Sequence, residues 1–346
     1  MIRVQQKKRY SYIDILNILA CLCVIFMHCN GIAHQYSNTA AWRQSMVVET
    51  IAYWAVPVYF MISGATLLNY RDKYLTRVFF KKRFLKTVIP FVVWTLISLA
   101  YKVRFEQMEF KPDLAGIVNL FTNNTSENIY WFFIPLFMVY LSMPVLSLLK
   151  EYRHILLYMA GMAFLAYSVY PVCCTFLKIP VNGQIQFPAA AGYLLYVILG
   201  YLIATTEFSR KTRVFLALLG VAAAGLRFGS TVLWSSESAG LNKTFWGYMN
   251  FPAVFLAVGV FVTVKYGPWE KLERLPGIQK AVRTLAGTGF GVYLMHMIVF
   301  RVLQSVTELE MTSGWWRFVM PFVIYAVCVI IVLILKKIPV LKHIVP

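Results

Sequence analysis

Two histidines of this chain sit in strongly apolar stretches, where an ionisable group is costly and therefore marks a candidate site. His28 ends an apolar run that also carries Asp14, Asn17 and Cys21. Steps of three, four and seven residues place these four side chains on one face of a helix. Asn17 and His28, eleven residues apart, are separated by about three turns, or roughly 16 Å. A neutral imidazole can take the proton of a hydroxyl, so His28 reads as a general base. It reads equally as a packing histidine that hydrogen-bonds a neighbouring helix.

The second histidine closes the stretch Gly289-Phe290-Gly291-Val292-Tyr293-Leu294-Met295-His296. Tyr293 and His296 share a helix face, and two histidines at similar depth could line one cavity. Gly287, Gly289 and Gly291 resemble a phosphate loop only superficially: no strand precedes them, and close helix packing is the simpler reading. Glu49 reads either as a carboxylate that orients His28 or as an exposed loop acid. In the stretch from Val56 to Gly64, Pro57 frees a backbone carbonyl and can kink a helix, and Ser63-Gly64 permits close approach of another helix. The six cysteines (Cys21, Cys23, Cys29, Cys173, Cys174, Cys328) lie in apolar runs without CxxC or Cys/His spacing. They point to neither a metal site nor a disulfide framework.

The elements that must position these residues are membrane helices. Of 346 residues, 60% are hydrophobic and only 14% charged, against roughly 25% charged in a soluble domain. A membrane-spanning helix needs about 20 apolar residues. The apolar runs predict helices near 12–33, 47–69, 87–105, 128–148, 155–175, 188–206, 214–234, 247–265, 284–304 and 316–335. The expected fold is all-α: one domain over 1–346, a polytopic bundle of about ten transmembrane helices. The basic start is not read as a cleavable leader, because the run behind it contains Asp14 and Asn17 and is too long.

Lysine and arginine set the orientation. Twenty-four of the 33 fall at the N-terminus, in the 71–86 and 265–283 loops, at Lys150, Arg153 and 210–213, and at Lys336, Lys337 and Lys342. The positive-inside rule then makes both termini cytoplasmic. The +19 net charge sits where topology requires it, which argues against a nucleic-acid partner. In the 71–86 loop, Leu75, Val78, Phe79 and Phe84 alternate with Arg77, Lys81, Lys82 and Arg83. That pattern suits an interfacial helix on anionic lipid; it also suits a cationic mouth for a phosphate-bearing donor such as coenzyme A.

Taken in order, Tyr12-Ile13-Asp14, His28, Ala55-Val56-Pro57, Phe60-Met61-Ile62-Ser63-Gly64, Arg83 with Ile89-Pro90, Tyr130-Trp131-Phe132 with Tyr140 and Pro144, and Phe290 to His296 resemble the acyltransferase-3 family of membrane O-acyltransferases. The resemblance covers nearly the whole chain and implies a bacterial-type cell membrane. It implies transfer of an acyl group, most simply acetyl, from cytoplasmic acyl-CoA to a hydroxyl of an envelope glycan or glycolipid, with no permanently bound cofactor and no metal. It makes His28 the base, with His296, Tyr293 and Glu49 assisting. It gives Asp14, Asn17, Arg83 and Lys86 to donor binding and Ser63, Tyr130 and Trp131 to substrate binding. Membrane lipid and glycan-assembly proteins are the expected neighbours. The chain departs from the family pattern at Asn17, which stands eleven residues before the histidine where a basic residue is usual, and at Lys86 in the RxxR pattern. It corresponds to the minimal membrane form, without the extracellular hydrolase-like domain that some members carry. Two rival readings are a transporter or flippase of lipid-linked glycans, although no internal repeat is visible, and a family member that has lost activity.

Overall fold

The computed structural model describes residues 10–269 and 274–346. Arg3, Lys7, Lys8, Arg9 and Lys271 of the basic clusters lie outside the described residues. The described residues fold into helices and turns, with no strand among them. In chain order the helices are α1 (Ser11–Cys29), α2 (Ala40–Ala52), α3 (Ala55–Leu67), α4 (Thr76–Arg83), α5 (Ile89–Phe105), α6 (Leu114–Thr122) and α7 (Phe133–Leu146). They continue with α8 (Arg153–Phe164), α9 (Tyr170–Leu177), α10 (Leu194–Ala204), α11 (Arg210–Ser238), α12 (Phe251–Lys265), α13 (Pro276–Thr307) and α14 (Met320–Leu335).

Several of these join end to end into longer spans. Eight stretches are long and apolar enough to cross a membrane, and α10 and α12 add two shorter apolar helices. This is the all-α bundle of about ten spans expected from the sequence, and the protein is a multi-pass membrane protein. The short α10, 11 residues, rises only about 16 Å against a hydrocarbon thickness near 30 Å. It is apolar all round and almost wholly buried, as a helix inside a bundle should be.

Prolines shape the long spans. The second span breaks at Tyr53 and Trp54, between α2 and α3. Pro57 lies four residues after Tyr53 and has no N–H to give to its carbonyl. Pro90, Pro171 and Pro321 each follow a single wide turn of π-helix, at Phe84–Val88, Leu165–Val169 and Trp315–Val319. The wide turn accommodates the carbonyl that each proline leaves without a donor. Helix α4 runs through the first of these turns into α5, so the segment expected as the 71–86 loop is helical from Thr76. No helix breaker precedes Pro90 there, and the exposed Leu75, Phe84 and Leu85 mark the outward flank of the helix start.

Helix α1 is the centre of the bundle, packed against α2, α3, α12, α13 and α14. Helices α3 and α10 cross with backbones in contact. A Cβ on Gly64 would stand 1.9 Å from the Val197 carbonyl oxygen, and one on Gly200 would stand 2.1 Å from that of Met61. Only glycine fits both positions, which is the small-residue contact of membrane helices.

The two ends differ chemically. One carries the start of α1, the turn before α4, the 146–152 and 204–209 connections and Lys336. Here Lys150 pairs with Asp72, and Lys265 lies 3.3 Å from Glu207. Arg213 lies 3.4 Å over the Tyr266 ring. The hydrogen bond with Asp72 raises the Lys150 ammonium above the usual lysine range. The other end carries His28, the turn Gly31–His34 and the long connection between α11 and α12.

Candidate functional site

Two cavities open at the basic end. One, about 560 Å³, is lined by Tyr10, Ile13, Asp14, Lys73, Tyr74 and Lys82 among others. The other, about 370 Å³, reaches deeper, to Asn17, Tyr59, Ser63 and Gly289. Both include Arg83 and Lys86 in their walls. Arg83 faces the rings of Phe79 and Tyr140 at 5.8 and 5.6 Å, and its Nε is buried without a protein partner. Lys86 belongs to the π-helical turn before Pro90. Lys336 donates to the Gly287 carbonyl at 2.6 Å. Burial first, and then the neighbouring Lys86 charge, hold the Lys336 ammonium below the usual lysine range. Arg83 and Lys86 stand in both cavity walls, Lys73 and Lys82 in one, and Lys336 lies beside them, an arrangement suited to phosphate groups.

At the opposite end a third cavity, about 460 Å³, is lined by His28, His34, Glu49, Asn128 and a set of aromatic rings. Tyr53 stacks on Tyr248 at 4.2 Å, Trp131 on Tyr248 at 5.7 Å, and Trp131 leans on Tyr193 at 6.1 Å. Phe132 and Tyr293 line both this cavity and the deeper basic one, so they form the partition between the two ends.

The two histidines come together although 268 positions separate them. Their ring centres are 5.3 Å apart. His28 is half-buried and faces the aromatic cavity; His296 lies behind it, 1% exposed. His296 Nδ1 is 2.7 Å from the Tyr293 carbonyl oxygen. A carbonyl only accepts, so Nδ1 carries the hydrogen and Nε2 of the neutral ring carries the lone pair. That Nε2 is buried with no protein partner.

The partition is stapled to α13 by three contacts. Tyr293 donates to the Ile129 carbonyl, Tyr130 donates to the Leu294 carbonyl at 2.6 Å, and Arg301 grips both oxygens of Glu127 at 2.6 and 3.0 Å. The outer rim is held by Arg317, which donates to the Ala41 carbonyl at 2.9 Å and to Gln44 at 2.8 Å. Asn30 joins the rim by donating to the Arg317 carbonyl at 3.0 Å and accepting from Ser45 at 3.1 Å.

A family model described as an acyltransferase domain matches residues 10–335. The chain belongs to the acyltransferase-3 family. It is a membrane acyltransferase. No curated protein and no solved structure matches it.

The residues singled out in the sequence of this acyltransferase divide between the two ends. Asp14, Asn17, Arg83 and Lys86 line the basic cavities. His28, Glu49, Trp131 and Tyr293 line the aromatic one. Four placements add what the spacing does not show. Ser63, read as substrate-binding, lies in the deeper basic cavity and donates to the Tyr59 carbonyl. Tyr130 is fully buried, its hydroxyl engaged by Leu294, which gives it a packing role. Glu49, offered as the partner of His28 or as a loop acid, is 2% exposed and forms its ion pair with Arg227 at 3.7 Å. Tyr293 has its proton committed to Ile129, so it serves as partition rather than as a free donor. Asn17 explains itself structurally: it donates to the Ala286 carbonyl at 2.9 Å, and a Cβ on Gly289 would stand 3.1 Å from its Oδ1. It ties α1 to α13 at the floor of the basic cavity.

Sequence reasoning missed Arg227, Tyr53, Trp246 and Tyr248 as parts of the site. The available signal was a charge, Arg227, inside the apolar run of α11.

Proposed function

We propose that this acyltransferase moves an acyl group, most simply acetyl, from cytoplasmic acyl-CoA to a hydroxyl of an envelope glycan or glycolipid. The single observation that carries the reading is the opposition of two cavities across one partition. Cations gather at one, His28 and aromatic rings line the other, and Phe132 and Tyr293 belong to both.

Arg83, Lys86 and Lys336 take the phosphates of the donor at the basic mouth. The deeper cavity then leads the thioester toward the partition. The acceptor enters the aromatic cavity, whose flat rings suit the C–H faces of a sugar. His28, with the His296 ring 5.3 Å behind it, presents a ring nitrogen to the acceptor hydroxyl. It takes that proton as the oxygen attacks the thioester carbonyl, and as the C–S bond breaks the proton passes to the sulfur, so coenzyme A leaves as the thiol and His28 returns to its neutral form. His296 packs against His28 and limits how its ring can turn. The placing of both termini on the cytoplasmic side, in a bacterial-type cell membrane, follows from the basic end being the donor end. Neither nucleic acid nor a resident cofactor has a part in the scheme.

The test is transfer of label from acetyl-CoA by membranes containing the protein, with mass spectrometry of envelope glycans from cells with and without the gene. Gene-dependent acylation supports the reading. Unchanged glycans, with no transfer from bound acetyl-CoA, remove it.

A further inference from the structure

The aromatic cavity contains a second polar group that general-base catalysis does not use. Glu49 lines its wall. The residue is 2% exposed, one oxygen faces Arg227 at 3.7 Å, and the other, Oε2, accepts no hydrogen bond from the protein. A buried carboxylate oxygen left unmatched is expensive, because it has lost its water and gained no donor. Such an atom in the wall of a substrate-sized cavity is matched when the ligand supplies the donor.

Arg227 mounts this carboxylate. Its guanidinium lies 3.6 Å over the Tyr53 ring and 5.1 Å from the Trp246 ring centre. One N–H donates to the Glu49 main-chain carbonyl at 3.2 Å. The side chain is 1% exposed. Fixed by two rings and one backbone bond, it supplies the counter-charge to one oxygen and leaves the other without a protein donor. Tyr53 and Tyr248 stack on each other and line the same cavity.

We propose that Glu49 is the acceptor-selecting residue: Oε2 receives a hydrogen bond from a second, non-reacting hydroxyl of the acceptor while His28 takes the proton of the reacting one. The inference rests on the acyl-transfer reading above. It limits the acceptor to ring compounds with at least two neighbouring hydroxyls and excludes simple alcohols. Glu49 touches the acceptor but not the reacting atoms; Arg227 acts through it as a positioning residue. A site built to hydrogen-bond a hydroxyl rejects the analogue that lacks it, because its own polar group is then left unmatched.

The test uses two probes that differ by one hydroxyl, trans-cyclohexane-1,2-diol and cyclohexanol, as acceptors for labelled acetyl-CoA with the full purified chain in detergent. The wild-type chain should favour the diol by at least about tenfold in kcat/KM. Glu49→Gln should bring the ratio close to one. Glu49→Asp keeps the charge against Arg227 but withdraws the oxygen by one methylene; it should also lower the ratio, and it serves if the glutamine variant does not fold. Equal acylation of both alcohols by the wild type, or an unchanged ratio in both folded variants, overturns this inference and leaves acyl transfer standing. Acylation of neither alcohol by protein that still binds acetyl-CoA overturns both.

Discussion

Glu127→Gln should loosen the partition between the two cavities and lower stability measurably. Arg301 holds Glu127 with two hydrogen bonds at 2.6 and 3.0 Å, and its Nε lies 3.1 Å from Glu106. The Glu127 side chain is 3% exposed and that of Arg301 18% exposed. Breaking a buried ion pair from one side costs about 3–5 kcal/mol. Glutamine still offers one carbonyl oxygen, Glu106 still faces Arg301, and Arg301 is partly wet, so the loss should be nearer 2 kcal/mol. For a chain of this length that lowers the unfolding midpoint on the order of 2–4 °C. Glu127 directly precedes the turn that carries Trp131 and Phe132 into the aromatic cavity and the Ile129 carbonyl that Tyr293 grips. The same change should therefore raise the acceptor KM while leaving the donor KM alone. Thermal unfolding in one detergent, for Glu127→Gln, Arg301→Met and the double variant, provides the assay. A coupling above about 1 kcal/mol is expected for groups in direct contact. Strictly additive losses, or an unchanged acceptor KM in a destabilised protein, would refute the clamp.

Three further outcomes follow from the architecture. Gly64→Ala and Gly200→Ala each push a methyl group against a backbone carbonyl, at 1.9 and 2.1 Å before relaxation; each should cost more than about 3 kcal/mol and cut the yield of monodisperse protein, and normal folding of either would deny the backbone contact of α3 with α10. Neutralising Arg83 and Lys86 together should raise the KM for acyl-CoA at least about tenfold with little change for the acceptor; an unchanged donor KM would leave these residues only a lipid-facing role. Reagents that do not cross membranes should miss cysteines introduced near residues 73, 211 and 337 in intact cells; labelling at any of them from outside would invert the orientation.

Much of the bundle was legible because its signals are local. Apolar runs mark the spans, and Pro57, Pro90, Pro171 and Pro321 mark where helices break or widen, since a missing N–H acts within one turn. Gly64 was legible as a close contact, but its partner Gly200 was not, because only the tertiary fold chooses which helix arrives. The histidines show the same division. Helical spacing places His28 on a face with Asn17 and His296 on a face with Tyr293, yet their meeting is set by the packing of α1 against α13. Glu49 does share a cavity with His28, but its ion partner could not be read from the sequence. Its partner Arg227 lies 178 positions away. The rings of Trp246 and Tyr248 come from an irregular connection with no periodicity to betray them.

The central claim is that His28 is the base that activates the acceptor hydroxyl, and His28→Gln tests it most directly. Glutamine keeps a polar side chain of similar reach but cannot take the proton. General-base catalysis is worth about 10²–10⁴-fold in rate. The variant should insert, retain acetyl-CoA binding and lose transfer by a factor in that range. Near-normal acylation by well-folded His28→Gln protein would show that the histidine pair only packs, and would contradict the account.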